Sequence, residues 1–404
     1  MTIEFSTGAL DLAQFLRAGD TVVVGQACAE PLTLTETLAR QRAALGGVRV
    51  FLGPGFSGTL RPEHGDHIGF AGYAGSGHNQ ALARAGLLDV VPAHYCELPA
   101  LFAQGTLRAD AVLLQMSPPD AAGRSFFGMA NDYQIDAARR ARAVIAEIND
   151  QVPQTPGSEL PPDLRIDAIV RTSRAPAMLH PAPLGDVETR IAAHVAPLVP
   201  DGATIELGIG ALPDAILSAL RQHRDLGLHS GMIGDGIVAL AEAGVLTNAQ
   251  KPIDTGVTIA GLLFGTRRLF DFAHRNPALR LMPPAYTHGA EALRRLPHFM
   301  AINSAIEVDL TGQVNGEMAG GAYLGAVGGQ VDFMRAARAS PGGRSIIALP
   351  AAAKGGTLSR IVARLGDGAV TSLRSDMDAV VTEFGVAELA GRSLAERVRR
   401  MIAI

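Results

Sequence analysis

Short runs of β-branched and aliphatic residues alternate along the chain with longer stretches whose apolar positions recur at helical spacing. That alternation predicts an α/β architecture. The first half carries TVVV at 21–24, VRVFL at 48–52, AVLLQ at 111–115 and AVIA at 143–146. The second half carries TIEL at 204–207, FMAIN at 299–303, SIIAL at 345–349 and AVVT at 379–382. Runs this apolar on consecutive positions suit strands covered on both faces, so a mainly parallel sheet flanked by helices is expected in each half.

The pattern also repeats. GDTVVVG at 19–25 is echoed by GATIELG at 202–208, DAAG at 120–123 by DLTG at 309–312, and RAVIA at 142–146 by RSIIA at 344–348. Each match is short, but the three are collinear, which predicts two versions of one α/β unit. The proline-rich stretch 151–183 supplies the boundary, giving an N-terminal domain over residues 1–184 and a C-terminal domain over 185–404. Two such tandem open α/β domains would place a ligand cleft between them, at the carboxyl ends of their strands.

Composition narrows the function classes. A chain of 404 residues, 48% hydrophobic, suits a compact enzyme of two cores better than a disordered scaffold. Its 35 basic and 39 acidic residues are well mixed and leave a net charge of −4, without the basic face that nucleic acid requires. No apolar run reaches about 18 residues, so no membrane span is expected, and the first residues lack the charged and apolar regions of a secretory leader. Cys28 and Cys96 read as small buried hydrophobes of a reducing compartment, which together predicts a cytoplasmic protein. His229, His288 and His298 are scattered without HxH or HExxH spacing, and no metal is expected. Ser117 has no histidine at a diagnostic spacing, which speaks against a serine hydrolase.

Two glycine-rich turns are candidates for chemistry. GIGALPDAI at 208–216 is a strand-to-helix turn whose glycines permit close backbone approach and whose helix start offers free N–H groups to an anion. It lacks the third glycine of a dinucleotide fingerprint, and a purely structural turn is the competing reading. GAVGGQVDF at 325–333 could present successive N–H groups to the oxyanion of a thioester under attack, or be a simple loop into a helix capped by Gln330 or Asp332.

Taken with GQACAEP at 25–31, SPPD at 117–120, VIAEIN at 144–149, DG at 235–236, GVLTN at 244–248, INSAIEVDLTGQ at 302–313 and VTEFGVA at 381–387, these turns resemble the acetyl-CoA hydrolase/transferase family, the 4-hydroxybutyrate CoA-transferase-like group of the family I CoA-transferases. The resemblance runs over nearly the whole chain. It implies homodimers or larger assemblies, coenzyme A as part of the substrate, and acyl-CoA with a small carboxylate or water as reactants. In that family a glutamate attacks the thioester and carries CoA as a glutamyl thioester, splitting one hard acyl transfer into easier ones.

The family glutamate follows His-Ser or His-Thr and precedes Met, so its position here is Gly231, with His229, Ser230, Met232 and Asp235 keeping their places. Glycine offers nothing to attack with, and the ping-pong route is closed on this reading. The resemblance implies that Gly208, Ile209, Gly210, Ala211, Leu212, Ile306, Gly328 and Gly329 line the pantetheine and thioester, and that Lys354 or Arg360 approaches a CoA phosphate. Three outcomes follow. The chain processes thioesters by hydrolysis, with a carboxylate such as Asp235 or Glu317 orienting water in the space that Gly231 vacates, and His229 as a further catalytic candidate. Alternatively, it runs a different acyl or C–C reaction, or binds acyl-CoA without turnover. Asp235 as a helix cap, Glu317 paired with an arginine, and Glu206 meeting a backbone or basic partner are the structural alternatives for the acidic candidates.

Overall fold

The computed structural model describes residues 2–366 and 368–404, so Met1 and Asp367 lie outside the described residues. The chain forms two compact units. One runs to Leu179 and includes Gly261–Ala285 and Ala322–Ala326; the other comprises His180–Ala260, Tyr286–Gly321 and Val327–Ile404.

The first unit is built on eight strands: β1 (Ile3–Phe5), β2 (Thr21–Val24), β3 (Val48–Leu52), β4 (Ile68–Gly72), β5 (Leu88–Val90), β6 (Ala111–Met116), β7 (Ala143–Asn149) and β8 (Ala168–Thr172). They lie in the order β1-β8-β7-β6-β2-β3-β4-β5, and every neighbouring pair is parallel. The second unit holds β9 (Thr204–Leu207), β10 (Gly227–Leu228), β11 (Phe299–Asn303), β12 (Arg344–Ala348), β13 (Ala379–Thr382) and β14 (Gly385–Glu388). Their order is β10-β9-β11-β12-β13-β14, parallel except for the closing β13–β14 hairpin. All eight apolar runs read from the sequence are strands.

The internal echo has a structural counterpart. The order β8-β7-β6-β2-β3 in one sheet matches β13-β12-β11-β9-β10 in the other, and each echoed segment falls on or beside the equivalent strand. Parallel neighbours need crossover connections, and helices supply them while covering the sheet faces. In the first unit Leu34 and Leu38 of the helix Leu32–Gln41 pack in one core with Val22, Val24, Val50, Leu113, Ile145 and Val170. In the second, Phe333, Ala336 and Ala337 of the helix Gln330–Ala339 share a core with Phe299 and Ala301 of β11. Each buried Val, Leu, Ile or Phe among these contributes about 1.5–3 kcal/mol by leaving water. Among the described residues no helix is long and apolar enough to cross a membrane.

One buried carboxylate ties sheet to helix in the first unit. Glu147 in β7 is fully buried and accepts from the Thr33 backbone N–H at 2.7 Å, from Thr33 Oγ1 at 2.8 Å and from Thr172 Oγ1 at 2.9 Å. Thr33 lies in the first turn of the helix Leu32–Gln41, where an N–H has no partner within the helix and a negative charge is favoured. Replacing Glu147 by Ala leaves the two buried Thr33 donors without their acceptor and takes one from the half-buried Thr172 hydroxyl. The expected outcome is a loss of roughly 2–4 kcal/mol of stability, measured as a lowered denaturant midpoint with unchanged m-value. A variant within about 0.5 kcal/mol of the native protein would show that the carboxylate is not what anchors the helix.

Candidate active site

The second unit brings several of the predicted residues to the carboxyl ends of β9 and β10. Strand β9 ends at Leu207, and the chain turns through Gly208, Ile209 and Gly210 into the helix Ala211–Ala219. Gly210 has φ +112° and ψ −175°, a conformation that residues with a Cβ rarely adopt, so glycine is required there by the backbone. A Cβ at Gly208 or Gly210 would meet no atom within 4 Å, and Ile209, Ala211 and Leu212 complete a turn whose backbone is open to approach.

The next strand is held rigidly. Leu228 N–H donates to Asn248 Oδ1 at 2.9 Å, while Lys251, only 2% exposed, donates its Nζ to Leu228 O at 3.0 Å and Val257 O at 2.7 Å. Burial is the main cause that lowers the Lys251 pKa to about 8. Beyond it, His229 N–H donates to Ile205 O at 3.2 Å and Ser230 N–H to Ile259 O at 3.0 Å. The Ser230 hydroxyl reaches Leu207 O at 3.2 Å and Met232 O at 2.8 Å. Gly231 is therefore buried in a segment whose neighbours are pinned to fixed carbonyls.

His229 itself is completely buried, with Nε2 3.1 Å from Thr287 O. A carbonyl only accepts, so Nε2 carries the proton and Nδ1 a lone pair, for which the described residues offer no hydrogen-bond donor. Burial, reinforced by Lys251, lowers the His229 pKa to about 4. The ring is neutral and locked, which makes it a brace for the turn.

The side chain closest to Gly231 is one that no spacing in the sequence singles out. His288 lies against Gly231 and Gly329, its Nδ1 2.8 Å from Thr287 Oγ1 and its ring 4.5 Å from that of Phe333. Burial, with His229 as a second cause, lowers its pKa to about 3. Gly328, with φ +57°, and Gly329 precede the helix Gln330–Ala339, whose N-cap is Gly329, and the Gln330 side-chain amide donates to Ser372 Oγ at 2.9 Å. Phe333 lies a single helical turn past Gly329 and so on the same face.

The acidic candidates differ in burial and in the partners that meet them. Asp235 occupies the N-cap position of the helix Gly236–Glu242 but makes no side-chain cap bond, and its charge adds to burial in raising the pKa of Asp214. Glu317 is buried and accepts from Thr371 Oγ1 at 2.7 Å. Glu206, at the carboxyl end of β9, accepts from Asn303 Nδ2 at 2.7 Å, an amide partner in place of the expected backbone or basic one. Complete burial raises its pKa to about 8. Ile306 N–H donates to Asn315 O at 2.8 Å, and Arg360 spends its guanidinium on the carbonyls of Ile306 and Ala305 at 2.8 and 2.9 Å. Lys354 is exposed on a short turn. Among the described residues no group of three or more His, Cys, Asp and Glu could hold a metal.

In the first unit, Phe70 is core, and Tyr73 is buried against Tyr95 and Tyr133 with its hydroxyl on Gln26 Oε1 at 2.7 Å. The loop at Phe56 is held by Glu30, which accepts from the Phe56 and Ser57 N–H groups and the Ser57 hydroxyl. Burial raises the Glu30 pKa to about 7.

These shifts give a signed pH dependence. Glu206 titrates near 4.5 unfolded and near 8 folded, so the folded state keeps a proton that the unfolded chain releases, and stability falls as pH climbs from about 4.5 to 8. Replacing Glu206 by Gln keeps an acceptor for Asn303 and removes the titration. The stability gap between the variant and the native protein is expected to widen in the variant's favour by a few kcal/mol, to order of magnitude, between pH 5 and pH 8. Urea unfolding at those pH values measures it, and a gap independent of pH would contradict the assignment.

The comparisons fit this architecture. The chain matches the acetyl-CoA hydrolase/transferase N-terminal domain over residues 7–171 and the corresponding C-terminal domain over residues 265–404. It is 39% identical to the 4-hydroxybutyrate coenzyme A transferase of Clostridium kluyveri over 390 residues, 95% of this chain and 90% of that one. Among solved structures it is similar to RipA from Yersinia pestis, with a TM-score of 0.90 at 32% identity over 97% of this chain and 92% of that one. It is likewise similar to a 4-hydroxybutyrate CoA-transferase from Porphyromonas gingivalis, with a TM-score of 0.82 at 33% identity over 99% of this chain and 93% of that one. On the combined evidence of fold, strand order and sequence, the chain belongs to the acetyl-CoA hydrolase/transferase family.

Proposed function

We propose that this protein processes acyl-CoA thioesters by delivering the acyl group to water, without a glutamyl intermediate at position 231. The observation that carries the reading is Gly231: it lies in the run His229-Ser230-Gly231-Met232, which we read as the family's nucleophile frame, its neighbours are anchored to Ile205, Leu207 and Ile259, and it has no side chain to attack with. In the proposed step, the oxygen of a water molecule bonds to the thioester carbon and the carbon–sulfur bond breaks. CoA leaves as its thiol with one of the water's protons, and the acyl group leaves as a carboxylic acid. The turns at Gly208–Leu212 and Gly328–Gly329, with Ile306, are assigned to the pantetheine and thioester. Exposed Lys354 is assigned to a CoA phosphate. Asp235, four residues past Gly231, is assigned to orient the water, since a carboxylate oxygen can accept a proton from water as the nucleophile forms.

The test is incubation with short acyl-CoAs, with and without acetate, following free thiol and acyl exchange together. Thiol release at a rate indifferent to acetate, with no exchanged acyl-CoA, is the expected result. An Asp235→Asn variant should lose about a hundredfold in kcat while KM holds. Exchange into acetate as fast as thiol release would show that a covalent transferase route survives and would sink the reading. Saturable CoA binding with neither reaction would point instead to a non-catalytic acyl-CoA-binding protein.

A further inference from the structure

Two glycines of the second unit lack a backbone reason for being glycine. Gly329 has φ −96° and ψ −3°, and Gly231 also lies outside the left-handed region, so an ordinary L residue fits the backbone at either position. What both positions lack is room. A Cβ built on Gly231 would fall 2.7 Å from both Cε1 and Nε2 of His288, and one built on Gly329 would fall 2.3 Å from its Nε2 and 2.4 Å from its Cδ2. Carbon atoms of a packed interior do not approach so closely. The two overlaps come from one ring. Phe333 limits it further, its Cε2 standing 3.5 Å from the Gly231 Cβ position and 3.1 Å from the Gly329 one. On the remaining edge Thr287 Oγ1 holds Nδ1. The imidazole is thus seated in a slot whose two ends are glycine, and it has little freedom to swing aside.

We propose that His288 is the specificity-determining residue of this site: its imidazole fills the room into which a side chain at position 231 would grow, so the site accommodates either that ring or a side chain at 231. The consequence is that a carboxylate nucleophile is not regained by changing Gly231 alone; position 288 must be emptied as well. This inference rests on the reading of position 231 as the family's nucleophile position only for its catalytic consequence. The steric exclusion stands on the geometry of the second unit by itself.

The experiment is a double-mutant cycle on the full chain, read first by thermal unfolding. Gly231→Ala should lower Tm in the native background, and His288→Ala should lower it by opening a cavity. With His288→Ala already present, Gly231→Ala should cost nothing or raise Tm, because the methyl group then enters vacated space. Additive effects would overturn the proposal. If Gly231→Ala does not fold, recovery of a folded protein in the double variant supports the exclusion. Gly329→Ala, alone and with His288→Ala, repeats the test from the other end of the slot, and its additivity would count equally against it.

Acyl exchange between short acyl-CoAs and acetate is then measured for Gly231→Glu and for Gly231→Glu combined with His288→Ala. Exchange at least tenfold faster in the double variant supports the proposal, and equal or faster exchange in Gly231→Glu alone overturns it. Stability coupling without exchange in either variant leaves the exclusion supported and removes instead the assignment of position 231 as the family's nucleophile position.

Discussion

Parallel pairing is the constraint from which the rest of this molecule follows. Parallel strands cannot be joined by tight hairpins, so each connection passes over a sheet face, and every connection leaves a strand at its carboxyl end. In the second unit this sends the chain from β9 and β10 into the turns at Gly208–Leu212 and His229–Asp235 on the same edge. Strands buried on both faces have no room for error in register, and the apolar runs that form them are correspondingly unmistakable. The precision of the site is inherited from that: the carbonyls of Ile205 and Leu207, which hold His229 and Ser230, belong to an interior strand paired on both sides.

The site also shows how a fold spends polar groups to fix backbone where hydrophobic packing cannot. Leu228 to Ser230 is an edge strand of two paired residues and a turn, too short to be stabilised by its ladder alone. Lys251, Asn248, Thr287 and Ile259 supply the missing partners. The cost is a set of buried ionisable groups kept in their neutral forms. Glu206, His229 and His288 each shift in the direction that burial dictates, because a charge there would lose water without gaining a counter-ion.

Most of the fold was legible in the amino-acid order because strands covered on both faces announce themselves as continuous apolar runs. The strands that escaped notice have a physical reason to be quiet. Ile68–Gly72 is two-fifths glycine, Leu88–Val90 carries an exposed aspartate, and Gly227–Leu228 is too short to show any period. The echo between the halves was visible because each copy begins its central strand with the same Gly-x-Thr entry. In the site, Gly210 could be read as an obligatory glycine because a strand-to-helix turn demands its backbone. Gly231 could be read only through its frame, since nothing local requires glycine there. His288 was illegible: what gives it meaning is a meeting in space with Gly231 and Gly329, and neither periodicity nor motif spacing encodes that contact. Glu206 reads as an ordinary strand-end acid until its burial beside Asn303 is seen.

The burial of Lys251 has a practical corollary. Lysine occurs at only two positions in this chain, and the ammonium group of Lys251 is enclosed and committed to two backbone carbonyls while Lys354 stands exposed on its turn. Amine-directed reagents applied to the native protein therefore find one lysine to modify, so a fluorophore, a crosslinker or a surface tether attached through lysine would sit at a single defined place.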